Sequence, residues 1–544
     1  MTYFKTDLTT ETDLQEHSTG TGATRTKHPI YVDFFPPCNN ACPAGENIQA
    51  WLSFAQSGDY FNAWAKLTEE NPMPAIHGRV CYHPCETACN RGELDSSVSI
   101  HAVERFLGDL AIAESWQFSK PGKYSNHKIL VIGAGPSGLS AAYHLARLGH
   151  LVSIYEAGPV AGGMMNFGIP AYRLPRNILQ AEVKRIENLG VEIRLNYKVT
   201  DVLAEKNAGG FEAVFIAIGA HIGKKTAIPA RDAGKILDAV SFLKDVELGN
   251  KPQIGRRVAI YGGGNTAMDA ARTVKRLGAE EALIIYRRDR ENMPAHDFEA
   301  DEALSEGVKI HWLRTIKNID STSMTIEKMN IVGGKPVPTG EFETLEADSL
   351  ILALGQDTET DFLKGIEGIE FKDDGTVIVD SQMMTGHAGI FAGGDMVPSE
   401  RTVTIATGHG KKAARNIDAW LNRGVYEKPP NNPLIPIEKL HVWYRTDAPP
   451  KPQSHLEPEV AAETFEEIVA GYSAEEAQYE AQRCLSCGNC FECDGCFGAC
   501  PEGAIIKLGK GKRYKFNYNL CTGCGVCFEQ CPCHAIEMIA ESAG

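Results

Sequence analysis

Cysteine and glycine carry the chemistry of this sequence, and both fall in patterns. Of 16 cysteines among 544 residues, five lie between Cys38 and Cys89, none in residues 90–483, and eleven between Cys484 and Cys533. The N-terminus MTYFKTDLTTETDLQEH has no apolar stretch behind a basic start, and nothing approaches the roughly 18 apolar residues of a membrane span. A cytoplasmic protein is expected. In a reducing cytosol, thiols at two- and three-residue spacings serve as metal ligands rather than disulfides. A formal charge of -16, from 54 basic and 70 acidic residues, argues against a nucleic-acid surface, which relies on clustered Lys and Arg. The short basic run at residues 510–515 reads as a solvated hairpin beside the cysteines.

Cys490, Cys493, Cys496 and Cys500, followed by Pro501, give C-x2-C-x2-C-x3-C-P; Cys521, Cys524, Cys527 and Cys531, followed by Pro532, repeat it. This is the bacterial two-cluster ferredoxin pattern, in which the fourth cysteine of each run ligates the other cluster. Cys490, Cys493, Cys496 and Cys531 are therefore assigned to one [4Fe-4S] cluster, and Cys521, Cys524, Cys527 and Cys500 to its partner. Tandem copies with matching prolines argue against zinc. Cys533 is left over and reads as a buried bystander.

The glycines mark two dinucleotide units. Gly133, Gly135 and Gly138 form G-A-G-P-S-G between an apolar strand at 129–132 and an apolar helix at 139–148, and a second strand at 152–155 ends at Glu156. The first glycine permits the tight turn, the second admits a pyrophosphate, and the third lets helix and strand approach; Glu156 can take both ribose hydroxyls. That fits FAD or NAD alike. FAD is chosen because TGHAGIFAGGD reads as a strand that sets Asp395 on a flavin ribityl hydroxyl, an ordinary strand and turn being the alternative. The second unit has Gly262, Gly264 and Ala267 in G-G-G-N-T-A, with Asn265 and Thr266 at the helix start. Its second strand ends at Tyr286 and is followed by Arg287, Arg288 and Arg290 where the first unit has Glu156. A guanidinium fork binds a 2′-phosphate that a carboxylate repels, favouring NADP(H) over NAD(H) unless these arginines are only a solvated strand end. No cysteine pair lies near either unit, so the redox disulfide of disulfide reductases is missing. No catalytic side chain stands out, and the chemistry falls to the cofactors.

Over residues 35–425 the chain resembles the small (β) subunit family of glutamate synthase, a module also seen in electron-bifurcating ferredoxin:NADP oxidoreductases and the N-terminal half of dihydropyrimidine dehydrogenase. The resemblance is carried by PPCNNACPAGENIQAWL, NPMPAIHGRVCYHPCETACNRG, GAGPSGLSAAYHL, GGMMNFGIPAYRLP, GGGNTAMDAAR with YRRDRENMPA, and GIFAGGD with ATGHGKKAA. It implies FAD in the first unit, NADPH in the second and hydride transfer between them. Gly162 and Gly163 would lie along the FAD, Asp395 at the ribityl chain, and residues 404–408, from Thr404 to Gly408, at the flavin ring.

The resemblance also implies two N-terminal clusters, served by a Cys-x2-Cys, a Cys-x3-Cys-Pro and a later GRVC motif. Cys38 and Cys42 supply the second element and Cys81, Cys85 and Cys89 the third, but no Cys-x2-Cys precedes Cys38. GYSAEEAQYEAQRCLSC, ending at Cys487, looks like the missing helix and Cys-x2-Cys moved behind the body. Cys484 and Cys487 are thus expected to fold back and join Cys38 and Cys89 on one cluster, within a chain or across a dimer. The other would use Cys42, Cys81, Cys85 and Glu104, which stands where the family has Gln or Glu. The alternative is one N-terminal cluster on Cys42, Cys81, Cys85 and Cys89, with Glu104 a helix-face carboxylate; the chain would then hold three clusters rather than four.

These sites require an α/β fold with two Rossmann-like domains. The expected order is a loose tail (residues 1–30), a helical Fe-S domain (31–122), an FAD-binding domain in two parts (123–252 and 356–428) around an NAD(P)H-binding domain (253–355), a Pro-rich linker and helix (429–483), and a ferredoxin-like α+β domain (484–544). Helical spacing of Ile48, Trp51, Leu52 and Ala55, then of Phe61, Trp64, Ala65 and Leu67, supports the first domain. The expected function is an NAD(P)H:acceptor oxidoreductase. It would move electrons between NADPH, FAD, a chain of [4Fe-4S] clusters and ferredoxin or a redox enzyme subunit such as a 2-oxoacid:ferredoxin oxidoreductase, in a hetero-oligomer that can include a homodimer. A glutamate synthase small subunit is the alternative among enzymes, disfavoured by the ferredoxin-like tail. A non-catalytic cluster scaffold or redox sensor is the alternative outside them, disfavoured by the intact glycine turns. Dihydropyrimidine reduction is set aside because no barrel domain follows.

Overall fold

A computed structural model describes residues 25–541 except 225, 227, 229–234, 251, 444, 446 and 510. Most of the expected tail, and Lys510 of the basic run, lie outside the described residues. In the first nucleotide unit, Lys128–Ile132 pairs in parallel with Leu151–Tyr155 and Ala213–Ile216, with Glu192–Arg194 and Ile390–Ala392 at the edges. Helices cover the sheet, so Ile129, Leu130 and Val131 are all fully buried and the strand reads as an unbroken apolar run. The chain leaves this sheet after Ile216, builds the second unit, and returns to it at Ile390.

In the second unit, Arg257–Tyr261 lies between Glu281–Tyr286 and Ser349–Leu352, with Lys309–Trp312 and Lys235–Asp238 outside them, all parallel. This sheet therefore begins before residue 253, because the strand at 235–238 pairs with Ser349–Leu352. An antiparallel meander of Arg314–Ile319, Ser323–Val332 and Lys335–Glu346 is appended.

The helical domain packs directly on the first unit. The Ile48–Gln56 helix buries Ile48, Trp51, Leu52 and Ala55, and the Tyr60–Thr68 helix buries Ala63, Trp64 and Leu67. Phe61, expected on the same buried stripe, is instead 51% exposed and meets Trp116 edge-on. One continuous core includes Trp51, Trp64, Phe215 and Ile417, and it takes in Ala477 and Ala481 from the Ala474–Gln482 helix. That helix starts with a full capping box between Ser473 and Glu476 and lies against the Ile48–Gln56 and Ile100–Ala113 helices. The segment expected as a linker thus ends as part of the helical domain.

The C-terminal domain has a small core in which Cys496, Cys527, Cys531 and Cys533 join Ile505, Tyr514, Phe516 and Ile536. Lys27–Tyr31 pairs antiparallel with Ile536–Ala540, so residues 27–30, taken in the sequence for tail, form a strand of this domain. Ile505–Lys507 and Tyr514–Phe516 make the hairpin expected around the basic run. Among the described residues, no helix is long and apolar enough to cross a membrane.

Candidate nucleotide and cluster sites

Each glycine of the first turn has a separate reason. Gly133 adopts φ +102° and a Cβ there would stand 2.5 Å from the Ala217 carbonyl oxygen; one on Gly138 would stand 1.9 Å from that of Gly133. A Cβ on Gly135 would meet nothing within 4 Å. The fold needs the first and third glycines, and the second faces open space where a pyrophosphate can approach. Gly162 donates its backbone N–H to the Ala134 carbonyl at 2.8 Å, and Gly163 backs onto Gly135, so both glycines predicted beside FAD do flank the turn. The Glu156 carboxylate accepts from Ala134 N–H at 2.7 Å and Gly158 N–H at 2.6 Å. Gly394 faces Ser137: a Cβ there would stand 3.1 Å from the Ser137 Cβ. Asp395 is half-buried there, and desolvation pushes its carboxyl up to about 6. The Ser137 hydroxyl is buried without a hydrogen-bond partner. An orphaned hydroxyl and a poorly solvated acid beside an open glycine turn fit the polyhydroxylated, phosphorylated spine of FAD.

The second turn repeats the design. Gly262 has φ +150°, with the Ala353 carbonyl oxygen 2.2 Å from its would-be Cβ, while Gly264 faces open space and Ala267 is fully buried. Both units start a 12-residue helix at a glycine with no side-chain cap, leaving first-turn N–H groups for an anion. The three arginines separate. Arg287 is exposed just beyond the strand end and Arg288 is half-buried with an unpartnered buried Nε. Arg290 instead pairs with Asp301 at 2.6 Å and Asp297 at 3.6 Å on the next helix. Asn265 bonds to Tyr82 and to the His296 backbone, and Thr266 is half-buried in the first turn.

The Val403–Leu421 helix joins these units to the cysteines. Thr404 is buried beside Cys81, where its side chain favours the thiolate. Gly408 is turned toward the helical domain, its would-be Cβ 2.2 Å from the Pro43 carbonyl oxygen, and Gly410 meets the Ser137 carbonyl. Thr407 Oγ1 lies 3.0 Å from His77 Nε2, and Lys411 Nζ binds Glu70 at 2.8 Å and the Ala44 carbonyl.

The fold gathers the cysteines into four sets. Cys38, Cys89, Cys484 and Cys487 line one cavity with Leu52 and Leu485, within a single chain. Burial pushes the Cys38 thiol well up, with further contributions from Cys484, Cys89 and Cys487; Cys484 rises to about 11. Cys42, Cys81 and Cys85 form the second set, with Glu104 near Cys42 and Cys81. Burial raises the Glu104 carboxyl far above the carboxylate range, and neighbouring Glu46 adds to the effect. Asn71 Nδ2 donates to both acids, at 2.9 Å to Glu46 and 2.8 Å to Glu104. Two buried carboxylates this close need a cation or a proton. Glu46, Asn71 and His77 escaped the sequence reading, since a lone acid four residues past Cys42 has no distinguishing pattern.

In the C-terminal domain, Cys490, Cys493, Cys496 and Cys531 form one set. Cys500, Cys521, Cys524 and Cys527 line a second cavity with Pro29 and Phe516. The pairing of each fourth cysteine with the opposite run is thus present in the fold. Backbone N–H groups donate to Cys500 and Cys531 at 3.2 Å, as cluster-bound sulfurs require. Cys533 is buried with its sulfur 3.8 Å from Cys531 Sγ, and its thiol pulls Cys531 down to about 7. Among the described residues, no three cysteine sulfurs lie within 4.8 Å of one another, whereas thiolates sharing one zinc stand roughly 3.8 Å apart. The sets fit a cluster better than a single ion.

Comparison with known proteins agrees with this geometry. Residues 127–410 match the pyridine nucleotide-disulphide oxidoreductase family, residues 23–116 the dihydropyrimidine dehydrogenase domain II, 4Fe-4S cluster family, and residues 514–537 the 4Fe-4S binding domain. The chain is 36% identical to the NADP(+)-dependent formate dehydrogenase subunit beta of Moorella thermoacetica, over 83% of this chain and 70% of that one. It is 30% identical to the NADPH-Fe(3+) oxidoreductase subunit beta of Geobacter sulfurreducens, over 87% and 78%. It is 31% identical to the glutamate synthase [NADPH] small chain of Escherichia coli, over 71% and 89%. The chain is an oxidoreductase of the pyridine nucleotide-disulphide oxidoreductase family, with 4Fe-4S domains on both sides of a dinucleotide-binding body that contains no cysteine.

Proposed function

We propose that this chain is the NADPH-linked electron-transfer subunit of a larger cytoplasmic redox complex, exchanging electrons with ferredoxin or a partner redox enzyme through four [4Fe-4S] clusters. When bound, FAD exchanges hydride with a nicotinamide and single electrons with iron–sulfur clusters. The observation that carries the reading is the continuity of the ligand sets. Thr404, on the helix beside the first turn, is buried next to Cys81. Cys85 and Cys89 stand on either side of one short turn, dividing between the two inner sets. Cys487 is three residues from Cys490, and Cys500 and Cys531 exchange between the two outer sets.

The chain's own groups hold and insulate this path. Gly135 and Gly264 admit the two pyrophosphates, Asp395 and Ser137 take FAD hydroxyls, and Arg287 with Arg288 takes the 2′-phosphate that selects NADP(H). Half-buried and buried cysteines with the buried Glu104 supply the inner ligands, and exposed Cys493 and Cys524 bring the outer sets to the surface. The relatives named as subunits of formate dehydrogenase and glutamate synthase support a redox enzyme as partner. Anaerobically purified protein is expected to be brown, to contain FAD, and to reduce methyl viologen with NADPH far faster than with NADH. Colourless protein without flavin, or protein inert to both nucleotides, would refute the proposal.

A further inference from the structure

One contact between the helical domain and the second turn has no part in the reading above. Tyr82 follows Cys81 and reaches out of its own domain. Its hydroxyl oxygen accepts a 2.5 Å hydrogen bond from Asn265 Nδ2, at the start of the second unit's helix. The Asn265 side-chain oxygen accepts from the His296 backbone N–H at 3.2 Å, and the His296 ring stacks on Tyr82 at 3.8 Å and 19°. Both ends of the Asn265 amide are therefore committed within the protein, and its side chain shapes the turn. The Tyr82 hydroxyl donates in turn to Glu299 Oε1 at 3.4 Å, and Arg173 of the first unit holds Glu299 at 2.5 Å.

On the other side of Tyr82, the His83 backbone N–H donates to Cys81 Sγ at 3.3 Å. His83 sits in the left-handed region at φ 39° and ψ 56°, which a histidine holds only where its surroundings over-determine it. Tyr82 thus lies between the two partners of an N–H···S hydrogen bond, and such bonds help to set a cluster's potential.

We propose that Tyr82 is a positioning residue of the nicotinamide-nucleotide site and that nucleotide occupancy acts through it on the hydrogen bond to the Cys81 sulfur. This rests on reading Gly262 to Ala267 as the NADP(H) turn and Cys81 as a cluster ligand. A dinucleotide seated on Gly264 orders the turn that Asn265 and His296 hold against Tyr82. Movement of the Tyr82 backbone then changes the angle of the adjoining His83 N–H at sulfur.

The test uses anaerobic holoprotein, its Tyr82→Phe and Asn265→Ala variants, and 1,4,5,6-tetrahydro-NADP, which binds without donating hydride. Tyr82→Phe keeps the ring stack and loses only the hydroxyl. It is expected to bind the analogue about tenfold more weakly, with iron, sulfide and FAD unchanged. In dithionite-reduced wild type the analogue should alter the EPR spectrum of one cluster, and at saturation both variants should lose that response. Wild type that binds the analogue without a spectral change, a variant that keeps the full response, or wild-type affinity in Tyr82→Phe overturns the proposal and leaves the proposed function standing. Wild type that binds no analogue overturns both.

Discussion

In the C-terminal domain, the cysteines that meet in space all fall between Cys490 and Cys531, whereas in the helical domain Cys38 and Cys89 meet Cys484 and Cys487 across the whole dinucleotide-binding body. The surroundings differ as well. Cys493 and Cys524 are exposed, whereas none of the seven inner cysteines is. A sequence-local set can form within one small domain. A set drawn from distant segments exists only once those segments have folded against each other, so it reports on the assembled body.

The difference is broken most severely by removing iron. Four of the nine buried residues of the C-terminal core are cysteines, and ligand binding there is folding free energy. Chelation is expected to abolish amide protection in residues 484–541 while Leu130 and Phe215, in a large core of their own, stay protected. Equal protection before and after chelation would erase the distinction.

Arg483 tests the seam between the regions. It is 2% exposed and bonds Glu480 at 3.0 Å, Asp95 at 3.3 Å and three backbone carbonyls just before Cys484. Arg483→Ala leaves the buried Glu480 without its cation, while Asp95 keeps Arg91, and is expected to cost about 3 kcal/mol, read as a lowered thermal-inactivation midpoint. Lys507→Ala breaks a 2.6 Å pair with Asp494 on the C-terminal surface and should leave the midpoint unchanged within error. Similar losses in both would show that the two regions do not differ in this way.

The smallest effect is on nucleotide choice. Replacing Arg287 and Arg288 with Ala should raise KM for NADPH about 10–100-fold and leave KM for NADH unchanged, from the loss of charged hydrogen bonds. Arg290→Ala should change neither, because Arg290 is already paired with Asp301. Parallel loss of both nucleotides would remove the contrast with Glu156.

What could be read in advance follows the same division. The glycine turns and the repeated C-x2-C-x2-C-x3-C-P are local, and each matches a local geometric need: a positive φ at Gly133, a close approach at Gly138, ligand spacing in the outer sets. The fold-back of Cys484 and Cys487 was legible because a familiar helix and Cys-x2-Cys stood out of place. Contacts between distant segments were not legible. Nothing in KHPIY announces a partner at Ile536–Ala540, and nothing in YHPC points Tyr82 at Asn265. Asp301 draws off Arg290 from another helix, and Ser137 looks like any helical serine until its hydroxyl is found buried and unpaired.

The central claim is that Cys484 and Cys487 complete an inner ligand set, so that one chain carries four clusters beside one flavin. Iron and acid-labile sulfide per FAD measure it directly in anaerobic wild type and in the Cys484→Ala, Cys487→Ala double variant. The account predicts about sixteen iron per FAD in wild type and about twelve in the variant. About twelve in both would contradict it.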